Sequence, residues 1–267
     1  MNNHLLPLLP AGIHWVPVQH GESGDLVYQR SDEEAYAKIS TGPRALSLAA
    51  EKDRLLWLAD KDLPTPKVLD WIETATGSCL LISPIPGIPA SKLTAEQLSI
   101  AWTSITRQLQ ALHQLPVNNC PFDRRLSLMF AQARDVVARG AVNPDFLRPE
   151  QHHIPAATLL ANLEMSLQER LAQESAEQVV CHGDACLPNF MVDPVTLQCT
   201  GMIDLGRLGK ADPYVDYTLL LANSEETWPQ ADQQQAAYIR LFQLLQIDHP
   251  DTSRLDFYLQ LDPLTWG

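Results

Sequence analysis

Three prolines within six residues, Pro84-Ile-Pro-Gly-Ile-Pro89, interrupt the chain where its hydrophobic pattern changes period. Proline fixes φ, lacks a backbone donor and pushes the residue before it into extended geometry, so neither a helix nor an interior strand crosses this connector. Before it, short runs with β-branched or aromatic content predict strands over 15–19, 25–30, 35–40, 68–73 and 79–83. The turn-forming stretches Gly21-Glu-Ser-Gly24, Ser31-Asp-Glu-Glu34 and Thr76-Gly77 separate them. One helix is predicted among these strands, over 46–60, where Leu48, Leu55, Leu58 and Ala59 recur at helical spacing ahead of Pro64 and Pro66. After the connector the period is helical. Thr94-Ala-Glu-Gln97 is a capping box that opens a helix with Leu98, Trp102, Ile105, Leu109 and Leu112 on one face, and Pro116 follows its end. Further apolar stripes predict helices over 123–139 and 157–171. The expected fold is α+β, with a small antiparallel sheet and one helix in residues 1–85 and a larger, mainly helical part in residues 86–267.

Composition narrows the class of partner. The 267 residues are 45% hydrophobic and 19% charged, a globular balance with ample material for a core. Nineteen Lys and Arg against 32 Asp and Glu leave a formal charge of −13. That charge disfavours a nucleic-acid backbone or an anionic membrane surface as principal partner and attracts cations. Five cysteines without a C-x-x-C pair indicate neither a disulfide framework nor a zinc knuckle, and a reducing cytoplasm is their simplest setting. The apolar start of the chain is broken by Pro7 and Pro10 and has no basic residue before it, which makes it a poor export signal. No apolar run approaches the length that spans a bilayer.

The chemistry concentrates in two short segments. Val179-Val-Cys-His-Gly-Asp-Ala-Cys-Leu-Pro-Asn-Phe-Met-Val192 reads as a strand, a loop carrying His182-Gly-Asp184 and Asn189, and a second strand. Gly201-Met-Ile-Asp204-Leu-Gly206 then puts a carboxylate at the end of a further strand. Phosphoryl transfer from a nucleotide needs such a set. One carboxylate orients the attacking hydroxyl and takes its proton, while an amide oxygen and a second carboxylate hold a divalent ion on the phosphates. Hard oxygen donors favour Mg²⁺ over zinc. His182 reads as a hydrogen-bonded scaffold of the loop, since the adjacent Asp184 already fills the proton-accepting role.

This order resembles that of the kinase-like phosphotransferases, with His182-Gly-Asp184 and Asn189 at the catalytic loop and Asp204-Leu-Gly206 at the metal-binding triplet. The resemblance implies a protein-kinase-like fold and further machinery upstream. Lys38, in Tyr36-Ala-Lys-Ile39, stands where a lysine meets the nucleotide phosphates, and Glu51 stands where a helix glutamate pairs with it. Ser23 and Gly24 belong to the turn expected to cover the phosphates, and Ile82 and Ile85 to the stretch expected against the adenine. The absence of a full G-x-G-x-x-G and of an H-R-D triplet favours a small-molecule kinase over a protein kinase.

The segments His182 to Val192 and Gly201 to Asp216 resemble the aminoglycoside phosphotransferases, which inactivate antibiotics and give resistance. Within that family the resemblance is strongest to the branch acting on the 3''-hydroxyl of streptomycin. It runs through Glu22-Ser-Gly-Asp25, Glu51-Lys-Asp-Arg-Leu-Leu-Trp57, Cys120-Pro-Phe-Asp-Arg-Arg-Leu-Ser127 and the final Phe257-Tyr-Leu-Gln-Leu-Asp-Pro-Leu-Thr-Trp-Gly267. It implies ATP and Mg²⁺ as cofactors, Asp184 as catalytic base, Asn189 and Asp204 as metal ligands, and a monomer acting on a cationic aminoglycoside. In related enzymes acids of the late helical segment and the chain terminus line the sugar pocket, which implies Glu225, Glu226, Asp262 and Gly267 as substrate contacts, with matching by position favouring Glu226 and Asp262. Carboxylates suit guanidinium groups through forked hydrogen bonds. The 3'-phosphotransferases of kanamycin and neomycin share the catalytic loops and are the alternative. A catalytically silent nucleotide-binding module is disfavoured because Lys38, Asp184, Asn189 and Asp204 are all present.

Overall fold

The computed structural model describes residues 8–18, 26–42 and 44–267. Five strands, β1 (Trp15–Pro17), β2 (Leu26–Arg30), β3 (Tyr36–Ser40), β4 (Val68–Thr74) and β5 (Gly77–Ile82), form one antiparallel sheet in the order β1-β2-β3-β5-β4. Successive side chains of a strand take opposite faces, and here both faces are used. Ala37, Ile39, Cys79 and Leu81 build a small core with Leu8 and Leu9. Leu80 and Ile82 join Leu48, Leu55 and Leu58 of α1 (Arg44–Leu58) in the main core, which continues into the helical region. Lys38 pairs in register with Leu80, so alternation turns its side chain toward α1.

The proline-rich connector does more than span a gap. Its Ile88–Pro89 segment, β6, pairs with β8 (Phe190–Val192), which pairs in turn with β9 (Cys199–Met202). Gly87 has φ +116° and a Cβ there would lie 2.4 Å from the Val192 carbonyl oxygen, so only glycine fits. A second ribbon joins β7 (Val179–Cys181) to β10 (Gly209–Ala211). These four strands from the helical region bracket the two loops that carry the candidate chemistry.

Helix α2 (Ala95–His113) opens with the predicted capping box: Thr94 Oγ1 accepts the Gln97 amide and Gln97 Oε1 accepts the Thr94 amide. Helix α3 (Leu126–Ala138) follows. The single stripe expected over 157–171 is two helices, α4 (Ala156–Glu164) and α5 (Leu167–Glu177). The break at Met165 and Ser166 leaves the leucines of both helices facing the core, which is why periodicity hides it. It also turns Arg170 and Glu174 of α5 inward, where each is 4% exposed. Arg170 meets Asp251 at 3.1 Å and Ser253 at 2.8 Å. The remaining helices are α6 (Tyr214–Ser224), α7 (Ala231–Leu245) and α8 (Thr252–Leu261). Among the described residues no helix is long and apolar enough to cross a membrane, and all five cysteines are free.

Glu174 generates a pH prediction. Its Oε1 accepts the amide of Leu126, an otherwise unpaired donor at the start of α3, at 2.8 Å. Burial, with a contribution from Asp212, pushes its carboxyl from the ordinary 4.5 up to about 7. A carboxyl raised on folding stabilises the fold below its unfolded pKa and loses that contribution as pH rises through the folded value. Stability should therefore decline by roughly 3 kcal/mol between about pH 4.5 and 7 from this group alone. Glu174→Gln should flatten that slope in urea midpoints measured across the range.

Candidate active site

The loop after β7 is shaped by one buried carboxylate. Asp216, fully buried on the first turn of α6, accepts the His182 amide on Oδ2 and the Gly183 amide on Oδ1, both at 2.8 Å. His113 of α2 adds a third contact, Nε2 to Oδ2 at 2.8 Å. Burial alone would raise the Asp216 carboxyl, but the hydrogen bond with His113 and the Gly183 amide outweigh it and hold it below the usual carboxylate range. Gly183 has φ +80° and a Cβ there would lie 2.3 Å from the Arg207 carbonyl oxygen. His182 is buried, its Nε2 at 3.1 Å from the Ile203 carbonyl and its Nδ1 accepting the Asp184 amide at 3.3 Å. Those two contacts fit the neutral tautomer with the proton on Nε2, and His182 is a scaffold for the loop.

Asp184 stands half-buried at the tip of this loop. Asn189 Nδ2 donates to the Asp184 carbonyl oxygen at 2.8 Å and to its Oδ2 at 3.1 Å. The Cys186 thiol donates to the other carboxylate oxygen at 3.5 Å. The Ile203 amide donates to the Asn189 carbonyl at 2.9 Å, which sets Asn189 beside the Asp204 loop. Asp204 has φ +59° and ψ +55°, left-handed geometry that a non-glycine residue adopts at a cost. Its Oδ1 accepts Lys38 Nζ at 3.0 Å, and Lys38 also donates to Glu51 Oε1 at 2.6 Å. Burial opposes charge on Lys38, but the two carboxylates prevail and raise its pKa. Burial likewise opposes charge on Asp204, and Lys38 prevails and lowers its pKa.

The donor set suits a hard divalent cation. Asn189 Oδ1 and Asp204 Oδ2 accept no hydrogen bond among the described residues, and both are oxygens on adjacent loops. A thiol and an imidazole do lie behind the loop, where His113, Cys181 and Asp216 bring their donor atoms within 4.8 Å of one another. Both Asp216 oxygens are already spent on backbone amides, so this buried group works as a hydrogen-bond hub.

Other expected residues are placed unevenly. Ser23 and Gly24 lie outside the described residues. Ile82 is buried in the main core, and Ile85 is half-buried beside Gly201, with its Cγ2 3.0 Å from where a Cβ there would lie. Glu225 and Glu226 are exposed at the end of α6, and Glu225 lines a cleft of about 450 Å³ between α6, α7 and α8 that also takes in Arg148 and Asp256. Asp262, expected as a substrate contact, already has partners within the fold. Its Oδ1 meets Arg207 at 3.3 Å and Arg124 at 3.5 Å, and its Oδ2 accepts the Trp266 indole N–H at 3.0 Å. Arg124 is buried and Arg207 half-buried, and Asp262 is their shared counter-ion. Arg207 also stacks on the Trp266 ring at 3.4 Å, and burial next to Arg124 pushes it down to about 10. Gly267 packs against Val136 and Ala141, with its carbonyl 3.5 Å from Arg139 Nη2.

Sequence reasoning assigned no role to Asp216, Arg207 or Tyr36. Tyr36 shares the Lys38 face of β3, pairs with Ile82, and had one available signal, its position two residues before Lys38 in a strand. Asn223, in the last turn of α6, accepts the Leu187 amide of the catalytic loop at 2.8 Å.

An antiparallel sheet with a lysine–glutamate pair, joined to a helical region carrying an Asp–Asn loop and a second Asp, defines a kinase-like phosphotransferase. The chain belongs to the phosphotransferase enzyme family, whose model matches residues 14–258. It is 46% identical over 260 residues to streptomycin 3''-kinase of Streptomyces griseus, covering 97% of this chain and 95% of that protein. Aminoglycoside phosphotransferase APH(3'')-Id of Streptomyces rimosus superposes with a TM-score of 0.89 at 49% identity, covering 95% of this chain and 93% of the other. That enzyme is also solved in complex with ADP and streptomycin. An aminoglycoside-3'-phosphotransferase of type VIII superposes with a TM-score of 0.82 at 30% identity, covering 98% of this chain and all of the other.

Asp216→Asn puts an NH₂ where one loop amide now finds an acceptor. It should cost about 2–4 kcal/mol in urea unfolding, and amide exchange at His182 and Gly183 should accelerate beyond that of neighbouring strands. Unchanged protection at both amides would refute the role assigned to Asp216.

Proposed function

We propose that this chain transfers the γ-phosphoryl group of ATP to the 3''-hydroxyl of streptomycin and so inactivates the drug. The supporting observation is the meeting of Lys38 with Glu51 and with Asp204, 166 residues away, beside the Asp184–Asn189 loop. The choice of substrate follows relatives at 46% and 49% identity whose names specify the 3'' position.

In this reading Asp184 orients the hydroxyl and accepts its proton as the oxygen–phosphorus bond forms and the bond to the ADP leaving group breaks. Asn189 steadies both the carbonyl and the carboxylate of Asp184, which limits the orientations open to the base. Lys38 keeps Glu51 and exchanges Asp204 for phosphate oxygens. Asn189 and Asp204 would hold Mg²⁺, which when bound neutralises charge on the phosphates. Tyr36, on the Lys38 face next to Ile82, offers an aromatic surface to the adenine. Glu225 and Glu226 face the guanidinium groups, and the net charge of −13 favours approach of a polycation. Asp262 and the Gly267 end complete the substrate contacts in this reading, with Asp262 also keeping Arg207 in place. The division of labour runs at the connector, with residues 1–85 holding the nucleotide and residues 86–267 supplying catalysis and substrate contacts. In this reading the protein acts as a cytoplasmic monomer, a reducing setting that suits its five free cysteines.

Incubation with ATP, Mg²⁺ and a panel of aminoglycosides, with the phosphate located by NMR, tests the reading. Product from kanamycin and none from streptomycin would transfer the assignment to the 3'-phosphotransferases, and no product with any member would favour a silent nucleotide-binding module. Asp184→Ala should lower kcat roughly 10²- to 10⁴-fold. Asp204→Ala should remain folded by circular dichroism and lose Mg²⁺-dependent turnover.

A further inference from the structure

Helix α1 uses one face both to reach Lys38 and to fasten itself to the loop that follows Asp204. Glu51, Arg54 and Trp57 follow one another at three-residue spacing, which places them on the same side of the helix. Glu51 reaches Lys38. One turn on, Arg54 Nε donates to the Leu208 carbonyl at 2.7 Å, and Nη1 donates to the Ala50 carbonyl of its own helix at 2.9 Å. Its guanidinium lies 4.9 Å from the Phe122 ring centre. A further turn on, the Trp57 indole N–H donates to the Asn119 carbonyl at 3.1 Å, and the ring meets Phe122 edge-on with centres 6.0 Å apart.

Leu208 lies four residues after Asp204, at the end of the short turn Leu205–Arg207, so Arg54 ties the helix that holds Glu51 to the loop that holds Asp204. Arg54 makes no ion pair within 4.0 Å among the described residues. Two of its donors, Nε and Nη1, go to carbonyls, one on each of the parts it joins. A guanidinium used this way fixes distance and direction, because its planar fork presents several donors in rigid geometry. Lysine, with one flexible ammonium, reproduces only part of it.

We infer that Arg54 is a positioning residue for phosphoryl transfer, with Trp57 as its companion, clamping α1 so that Lys38, Glu51 and Asp204 are aligned before nucleotide arrives. The inference rests on the function proposed above. Preorganisation of this kind lowers the reorganisation required at each turnover, and small misplacements of the aligned groups are costly.

The test compares wild type, Arg54→Met and Arg54→Lys in streptomycin phosphorylation and in amide hydrogen exchange. Arg54→Met keeps the apolar stem and removes both hydrogen bonds. It should lower kcat roughly 10- to 100-fold while KM for streptomycin stays within about twofold, and Arg54→Lys should recover part of the loss. Exchange should accelerate selectively in residues 45–58 and 204–208. A folded Arg54→Met protein with kcat within about twofold of wild type, or with exchange raised uniformly along the chain, would overturn the inference. If Arg54→Met fails to fold, Trp57→Phe keeps a ring against Phe122 and loses only the indole donor. It should show a smaller kcat loss with the same local exchange signature, and neither effect would again refute the clamp. A wild-type protein inactive on every aminoglycoside sinks the proposed function instead, and the exchange comparison then decides the clamp on its own.

Discussion

A lysine amine held between two carboxylates organises this molecule. Lys38 Nζ lies 2.6 Å from Glu51 and 3.0 Å from Asp204, with 14% of its side chain exposed. Taking an ammonium out of water costs several kcal/mol, and the cost is offset only when charged partners are close and well directed. Three separate parts of the chain must therefore arrive together: a strand in the correct register, a helix at the correct height and a loop in left-handed geometry. Much of the surrounding architecture can be understood as what brings them there. The small core of Leu8, Leu9, Ala37, Ile39, Cys79 and Leu81 anchors one face of β3, leaving Lys38 for the other. The main core seats α1 through Leu48, Leu55 and Leu58.

The second organising group is Asp216, and the two resemble each other in logic. Each is a buried charge whose desolvation is offset by several short contacts, and each draws backbone or side chains from distant segments. Asp216 fixes the peptide units that precede Asp184, and Asn189 fixes Asp184 from the other side. The candidate base is thus held by its own backbone and by a neighbouring amide, without a rigid element of its own. A loop can carry precise chemistry when a buried carboxylate takes over the work that a strand ladder does elsewhere.

Much of this was legible in the chain before folding was considered. The change from period two to period 3.6 across the prolines marks the sheet and the helical region, and Thr94 and Gln97 announce the start of α2. Lys38, Glu51, Asp184, Asn189 and Asp204 could be named because their chemistry and order constrain one another. What stayed hidden depends on closure in three dimensions. Asp216 looks like any acid on a helix until the His182 and Gly183 amides are seen against it. Asp262 reads as an acid available to a cationic ligand, and that it also serves Arg207, 55 residues away in sequence, as a counter-ion is seen only in the fold. The break between α4 and α5 is silent because leucines at 160, 163, 167 and 171 keep a helical spacing through it.

The backbone at Asp204 sets local stability against function. Left-handed geometry is the natural conformation of glycine, and for other residues it is a standing cost on the order of 1–3 kcal/mol. The chain accepts that cost at the position where Lys38 requires a carboxylate. Mutational drift toward comfort would replace this aspartate with the one residue that relaxes the turn, and would delete the group the turn exists to present. A family built on this loop is thereby kept from its locally most stable sequence, and stabilising substitutions must be sought elsewhere in the fold.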